Sequence, residues 1–148
     1  MAQFNNGYKA SSGKKLGIDY SELGNLTKQI KDMDGDVKKT SETALIKSKQ
    51  HINKKLHTEM KKHEQTGNTE KSIDETSKPI WIGSSAEIDV GFDISNGGLA
   101  SIFLMYGTPR VKKDQKLFNA LYGKETSKEI AKIQKEVFEE AIEKIGGK

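Results

Sequence analysis

The chain has 148 residues, two prolines, no cysteine and a formal charge of +4, which fits one domain rather than two. The lack of cysteine excludes disulfides, thiol catalysis and cysteine-based zinc sites, and suits a reducing cytoplasm or a particle assembled in one. Leu, Ile, Val and Phe together make up only about 22% of the residues, so we expect a thin core. The longest apolar run, 99–106, is far shorter than the roughly 20 residues of a membrane helix, and no signal peptide is recognised. We therefore expect a soluble protein with no membrane partner.

The first 17 residues contain Phe4 and Leu16 as their only large aliphatic or phenylalanine side chains, among many glycines, serines, asparagines and lysines. Such a segment buries too little apolar surface to offset its loss of conformational entropy. The sequence predicts a mobile arm over 1–17, or one that only a partner orders, followed by a single α+β domain over 18–148.

Two helices are predicted next. Ser21 can cap a short helix that ends at the Asp34-Gly35-Asp36 turn. A longer helix is predicted from Asp36 to His63, because apolar residues recur there with a 3.6-residue period and no Gly or Pro interrupts them. The apolar side of this long helix contains Val37, Ala44, Leu45, Ile52, Leu56 and Met60.

The long helix is also strongly basic. Between Lys38 and Lys62 it has eight lysines against two glutamates, a local charge of 8 − 2 = +6. Lys47, Lys54 and Lys61 lie in one row opposite the apolar side. Such a row could contact a phosphate backbone without sequence preference, although a solvated face is the interpretation that we favour. No aromatic residue lies among these lysines, so base stacking is not predicted there.

The segment Glu64–Lys78 is polar and reads as a loop, and Pro79 marks its end. Residues 80–83 and 88–94 are then predicted to form a hairpin around a turn at 84–87. In the second strand Ile88, Val90, Phe92 and Ile94 alternate with Asp89, Gly91 and Asp93, as in a half-buried strand. After a turn at 96–98, residues 99–106 are compatible with either a third strand or a short buried helix.

The last third of the chain predicts helices. Residues 117–122 favour one or two helical turns that end at Gly123, and Thr126 or Ser127 can cap a longer helix. The apolar stripe of this helix contains Ile130, Ile133, Val137, Phe138, Ala141, Ile142 and Ile145. The predicted fold is therefore α+β: a small antiparallel sheet, made of the hairpin and a third strand, packed by the long central helix and the C-terminal amphipathic helix.

No residue is assigned to catalysis, to a cofactor or to a metal. His51, His57 and His63 are six residues apart, which rotates each by roughly 240° from the last, so we expect solvated helix positions instead of a shared ligand face. The segment Asp32–Asp36 begins like a calcium loop, but its glycine comes too early. A turn in which an aspartate caps the following helix is the better interpretation.

Four stretches, in their order and spacing, resemble motifs of one family, the tail-completion or head–tail joining (minor tail component) proteins of long-tailed bacteriophages. Thr66–Ile73 resembles T-G-x-L-x-x-S-I, and Leu104–Thr108 resembles a segment that ends in E-x-G-T. Leu117–Ala120 is similar to P-F-L-x-P-A before a terminal helix, and Gly17–Leu23 is similar to G-L-x-x-L. The motif-loop residues are Thr66, Gly67, Ser72, Gly107 and Thr108.

The resemblance implies a structural virion protein and not an enzyme. Subunits of this family form a closed ring, a hexamer, that completes the tail for joining to the head. The implied partners are other copies of the chain and neighbouring tail-terminator, tail-tube or head-connector proteins, with passing contact to phage DNA. The implied location is the tail or neck of the virion, and the host cytoplasm during assembly. The sequence does not separate a completion protein from a tail terminator or a connector stopper.

Apolar density in a chain poor in apolar residues suggests that the subunit associates with itself through the hairpin, the segment 99–106 and the terminal helix. The residues expected to take part are Ile88, Val90, Phe92, Leu99, Phe103, Tyr106, Ile133 and Val137. The alternative function is a small, basic, nonspecific nucleic-acid-binding protein that uses Lys47, Lys54 and Lys61. The two hypotheses are compatible if these lysines line the lumen of a ring.

Overall fold

A computed structural model describes residues 11–19, 24–32, 36–63 and 67–146. The strands are β1 (Ser11–Asp19), β2 (Ile80–Ile82) and β3 (Ser85–Asp93). The helices are α1 (Asn25–Asp32), α2 (Val37–Met60), α3 (Asn68–Lys71), α4 (Ala100–Tyr106), α5 (Gln115–Tyr122) and α6 (Lys124–Gly146), with 3-10 turns at Lys61–His63 and Ile94–Asn96. The predicted α+β class, with a small antiparallel sheet, a long central helix and a C-terminal helix, is confirmed.

The third strand comes from the N-terminal segment, and not from 99–106. β1 pairs antiparallel with β3 from Ser11 opposite Asp93 to Asp19 opposite Ser85, so the sheet order is β1-β3-β2. The prediction of a mobile arm over 1–17 was therefore wrong for 11–17, and residues 1–10 lie outside the described residues. The segment has few apolar residues, but Leu16 and Ile18 point into the core and β3 supplies the backbone hydrogen bonds.

Glycine is required where the two strands approach most closely. Gly13 lies opposite Gly91, and a Cβ added to Gly13 would lie 1.9 Å from the carbonyl oxygen of Val90. Gly91 itself has a φ of +132°, which side chains rarely adopt. The glycine that made this segment look disordered in the sequence is what allows it to pair here.

The hairpin has a shorter turn than predicted. Gly83, with a φ of +63°, and Ser84 connect β2 to β3, so β3 begins at Ser85 and not at Ile88. Part of the predicted loop also runs along β3: the N–H of Asp74 donates to the carbonyl of Gly91 at 2.8 Å, and the N–H of Asp93 donates to the carbonyl of Ser72 at 2.7 Å. The segment 72–74 therefore extends the sheet beyond β2.

Helix α2 lies across the inner face of the sheet and forms the centre of the core. The alternating residues Ile88, Val90 and Phe92 are 2%, 0% and 0% exposed, and α2 buries Leu45, Ile52 and Leu56 completely. Helix α6 packs mainly against α2, and it also contacts α1 and α5. Ile130, Val137 and Phe138 of its stripe are buried, while Ile133, Ala141 and Ile142 are partly buried.

The helix boundaries agree with the sequence to within a few residues. Asp36 caps α2, since its carboxylate accepts the N–H of Lys39 at 2.9 Å, as the capping interpretation predicted. The predicted cap Ser21 lies outside the described residues. The segment 99–106, for which two structures were open, contains helix α4. Gly107, with a φ of +77°, ends this helix by donating its N–H to the carbonyl of Phe103 at 2.8 Å.

Candidate self-association surfaces

Helix α4 exposes one of its sides. Leu99, just before the helix, Phe103 and Tyr106 follow each other at spacings of four and three residues, and they are 54%, 47% and 56% exposed. Met105 and Ser101 on the opposite side are buried. Val111, after the helix, is also exposed. We call Leu99, Phe103, Tyr106 and Val111 the α4 surface.

Aromatic contacts hold the α4 surface in place. The ring of Tyr106 meets the ring of Phe118 edge to face, with centroids 5.7 Å apart. Phe118 in turn lies 5.0 Å from Tyr122, whose hydroxyl donates to the carbonyl of Gly13 at 2.7 Å. Burial, together with the hydrogen bond and charge of Tyr106, raises the pKa of Tyr122 to about 12. The exposed Tyr106 is therefore anchored through α5 to the sheet.

The turn after α4 is built from two of the motif-loop residues. Gly107 turns the chain, and a Cβ there would meet the backbone nitrogen of Lys113 at 3.0 Å. The hydroxyl of Thr108 accepts the N–H groups of Arg110 at 3.1 Å and Val111 at 2.9 Å. These bonds order a short loop that presents exposed Arg110 and Val111 beside the helix.

The other motif-loop residues have structural roles. Gly67, with a φ of +76°, precedes α3 in a left-handed conformation. Ser72 is buried and its hydroxyl donates to the carbonyl of Thr69 at 2.6 Å. Thr66 lies outside the described residues. The structure thus gives Gly67, Ser72, Gly107 and Thr108 roles in closing turns.

Four of the eight predicted self-association residues are inside the subunit. Ile88, Val90 and Phe92 lie under α2, and Val137 of α6 is only 6% exposed. A side chain already buried in its own subunit has no surface to give to a second copy, so these assignments are corrected. Ile133 is partly buried against the core. Leu99, Phe103 and Tyr106 are the predicted residues that the structure leaves exposed.

A second apolar surface lies on the predicted hairpin, at two isoleucines that were not among the residues expected to take part in self-association. Ile80 and Ile82 of the edge strand β2 are 63% and 73% exposed, whereas Trp81 between them turns toward α2 and donates from Nε1 to Glu42 at 2.9 Å. The signal was present, because three consecutive apolar residues in a strand must place at least one on each face. We call Ile80 and Ile82, with their neighbours Gly17, Asp19 and Glu87, the hairpin-edge surface.

The lysine row is exposed, but much of the basic charge around it is engaged. The Nζ of Lys47 lies 3.9 Å from Glu140 of α6. Among the described residues, no ion-pair partner is found for Lys54 or Lys61. Four of the other five lysines of this helical region contact acidic or aromatic groups: Lys38 lies over the ring of Trp81, Lys49 is buried beside Asp74, Lys55 binds Glu129, and Lys62 binds Glu59 and Asp114. The fifth, Lys39, is exposed.

The three histidines are not solvated helix positions, so that prediction was wrong. His51 lies 3.3 Å from Glu129, and Nε2 of His63 lies 2.7 Å from Asp114. The two ring nitrogens of His57 lie 2.8 Å from Glu70 and 3.0 Å from Glu75. Each histidine faces a different element, which agrees with the prediction that they share no ligand face. The three histidines therefore connect α2, and the 3-10 turn that follows it, to neighbouring parts of the fold.

All three of these contacts alter a pKa. Hydrogen bonds from Lys55 and His51 lower the pKa of Glu129. Burial lowers the pKa of His57, but the hydrogen bonds and charges of Glu70 and Glu75 outweigh it and leave the pKa raised. Burial raises the pKa of Asp114, but hydrogen bonds from His63, the N–H of Leu117 and Lys62 outweigh it and leave the pKa lowered. Asp114 is also the N-cap of α5, so it links two helices.

A buried ion pair fixes the loop after α3 against α2. The Nζ of Lys49 lies 3.6 Å from Asp74, and their side chains are 4% and 8% exposed. Lys49 also donates to the carbonyl of Asp89, and Asp74 accepts from the hydroxyl of Ser77. Burial raises the pKa of Asp74, but these bonds, the N–H groups of Thr76 and Ser77 and the charge of Lys49 leave it lowered. Both charges are compensated inside the subunit.

The described residues enclose several cavities. One of about 500 Å³ lies between α4 and the end of α2, with Met60, His63, Phe103 and Leu104 in its walls. In the described part of the chain, no three histidine, aspartate or glutamate side chains are grouped as metal ligands. No helix among the described residues combines the length and apolar character that would cross a membrane.

The fold and its surfaces define an α+β domain whose exposed apolar residues are concentrated in the α4 surface and the hairpin edge. Comparison with known proteins found no matching protein family, no matching curated protein and no matching solved structure.

Proposed function

We propose that this chain is a structural subunit that associates with itself into a ring, and that the ring is the tail-completion or head–tail joining component of a long-tailed bacteriophage. The observation that carries the first part is the α4 surface. A chain with few apolar residues leaves Leu99, Phe103 and Tyr106 about half exposed at one place, and clustered exposed apolar residues are typical of binding surfaces. The phage assignment is supported by the sequence motifs.

The turns that carry the motifs are compatible with this role. Gly107 and Thr108 close the loop beside the α4 surface, so two motif-loop residues shape the surface that would associate. In such a ring the partners would be other copies and the adjoining tail-terminator, tail-tube or head-connector proteins. Its location would be the neck of the virion, and DNA would pass through its lumen.

The nucleic-acid alternative has less support than its sequence suggested. Of the row Lys47, Lys54 and Lys61, the first faces Glu140, and four of the five other lysines around the row lie close to carboxylates or to an aromatic ring. Paired cations release fewer counterions on binding a phosphate backbone. If the ring forms, the exposed pair Lys54 and Lys61 could still face its lumen.

The test measures the mass of the assembly. Light scattering and native mass spectrometry of the full chain, alone and mixed with candidate tail-tube and head-connector proteins from the same source, should detect a discrete ring. Phe103→Ser should reduce ring formation, whereas Ile46→Ser, which changes an exposed residue of α2, should not. A chain that stays monomeric with all these partners would contradict the proposal. Steeply salt-dependent DNA binding that is lost in a variant with Lys47, Lys54 and Lys61 changed to Glu would favour the alternative.

A further inference from the structure

We infer that the hairpin-edge surface of one copy binds the α4 surface of the next copy, so that the contact within the ring is head-to-tail. This inference rests on the proposed function, and it names the two surfaces that meet. The structure contributes two observations: the surfaces lie at opposite ends of the sheet, and their charged neighbours have opposite signs.

The separation of the two surfaces follows from strand β3. The hairpin edge lies beside Ser85, where β3 begins, and α4 follows the 3-10 turn after Asp93, where β3 ends. Eight residue steps at about 3.3 Å separate these ends by roughly 26 Å. A two-fold contact buries the same surface on both copies and leaves the other surface exposed. A head-to-tail contact covers both surfaces in every copy of a closed ring.

The register of the sheet places carboxylates beside the exposed isoleucines. Ile80 lies opposite Glu87, which lies opposite Gly17 on β1. Ile82 lies opposite Ser85, which lies opposite Asp19. Residues facing each other across a sheet project from the same face. Glu87 and Asp19 therefore share the outer face with the isoleucines. The carboxylate of Asp19 also accepts the hydroxyls of Ser84 and Ser85. Lys15, farther along the same face of β1, lies 3.0 Å from Asp89, so its charge is compensated there.

The α4 surface has the opposite charge. Residues 97–113 contain no aspartate or glutamate but include Arg110, Lys112 and Lys113. Lys113 lies over the ring of Phe118, with its Nζ 3.9 Å from the centroid, whereas Arg110 and Lys112 are exposed. An acidic surface that meets a basic one sets the direction of the contact and suppresses pairing of like surfaces.

A second copy is one candidate occupant of the α4 surface, and the chain's own N-terminal segment would be another. β1 begins opposite Asp93, and the hydroxyl of Ser12 contacts that of Ser101 in α4, so residues 1–10 precede a point close to this helix. Residues 1–10 contain no aspartate or glutamate and include Lys9. Their charge therefore does not complement Arg110 and Lys112, whereas that of the hairpin edge does.

The chain has no native cysteine, so introduced cysteines can report which surfaces meet. Ser84→Cys marks the hairpin edge, Lys112→Cys marks the α4 surface, and Ser127→Cys marks an exposed control position on α6. Each single variant, and each mixture of two, is treated with a short bismaleimide over a range of protein concentrations up to the solubility limit. We expect the 84–112 heterodimer to dominate, and a chain with both cysteines to form a ladder of multimers. Products that join 84 to 84 or 112 to 112 as efficiently, or no 84–112 product at any concentration, would overturn the inference.

Charge reversal supplies a second measurement. Glu87→Lys, and separately Arg110→Glu with Lys112→Glu, should each weaken association at least about tenfold, and combining them should restore part of it. No recovery, with each set of variants folded by circular dichroism, would overturn the assigned pairing. An 84–112 product that appears only after residues 1–10 are deleted would show that the N-terminal segment covers α4, and would also overturn it.

Failure of the inference and failure of the proposed function give different results. A ring of discrete mass without the 84–112 product would reject these contact surfaces and leave the ring-forming role intact. A monomer in every partner mixture, without the product, would reject both.

Discussion

Strand β3 and helix α4 are adjacent in the chain and both rich in apolar residues, yet the subunit buries one and exposes the other. Phe92 is fully buried between the sheet and α2, whereas Phe103, eleven residues later, is 47% exposed. In β3 the apolar side chains recur every second residue and lie on the face covered by α2. In α4 one side packs inward through Met105, and the other stays about half exposed, although Tyr106 contacts Phe118 of α5. Apolar density alone therefore does not distinguish the core of a subunit from a surface that binds another.

The largest expected effect separates these two phenylalanines. Phe92→Ala removes a fully buried ring and should lower the free energy of unfolding by about 3–5 kcal/mol. Phe103→Ala should change the stability of the monomer by no more than about 0.5 kcal/mol, while it weakens association. Urea unfolding at low protein concentration measures both variants. Similar losses of unfolding free energy in the two variants would mean that the exposed side of α4 is part of the core, and would contradict the contrast between β3 and α4.

The same contrast between interior and surface applies to ion pairs. Asp74→Ala leaves the buried ammonium of Lys49 without its carboxylate, and should cost about 3 kcal/mol. The matched control is Lys15→Ala, which removes the partly exposed pair between Lys15 and Asp89 at 3.0 Å and should cost less than about 1 kcal/mol. Urea unfolding of both variants at pH 7 gives the comparison. Equal losses of unfolding free energy in the two variants would contradict the claim that the buried pair between Lys49 and Asp74 stabilises the fold more than the exposed one.

An intermediate effect is expected at the boundary between α4 and α5. Asp114→Ala removes the N-cap of α5 and the carboxylate facing His63, and should cost about 1–2 kcal/mol at pH 7. Since the folded state lowers the pKa of Asp114 below its ordinary value of 3.8, its contribution is present above that value and is lost as the pH falls through the folded pKa. Unfolding of wild type and variant should therefore converge at acidic pH. A constant difference down to pH 2 would argue against this linkage.

The smallest expected effect concerns His57. Its pKa is raised in the folded state, so its contribution is fully present below its ordinary value of 6.5 and is lost as the pH rises through the folded pKa. Because the ring is partly exposed, we expect His57→Gln to cost less than about 1 kcal/mol at pH 5.5. At pH 8.5 the difference from wild type should shrink. Thermal unfolding at the two pH values checks it, and a larger loss at pH 8.5 would contradict the sign.

Periodic patterns of apolar residues gave the most reliable predictions of secondary structure. The 3.6-residue period of α2 and the alternation of β3 identified both elements and their buried sides, because burial against a neighbour imposes these periods. The cap at Asp36 was also predictable, because aspartate is a preferred N-cap residue and Asp36 directly precedes the periodic segment. In the structure its carboxylate accepts the N–H of Lys39, three residues later. Local chemistry determines such features within a few residues.

Pairings between distant segments were not predictable in this way. Ser11–Asp19 became a strand because β3 offers it backbone partners and Gly13 faces Gly91, a match 78 residues apart. The contacts of the histidines also depend on distant segments. Helix periodicity shows that the three side chains point in different directions, but it does not show that each lies beside a carboxylate from another part of the chain. Of the two candidate surfaces, the sequence indicated the residues of the first, Leu99, Phe103 and Tyr106. It did not indicate Ile80 and Ile82 of the second.

The sequence by itself determined that this chain is an α+β protein with a long basic helix and an apolar centre after residue 80, because composition and periodicity are local properties. Only the tertiary structure decided which apolar residues of that centre are buried inside the subunit and which stay exposed. Ile88, Val90 and Phe92 lie under α2, while Ile80, Ile82 and Phe103 stay exposed. The physical reason is that burial depends on what covers a face, and the covering elements come from distant parts of the chain.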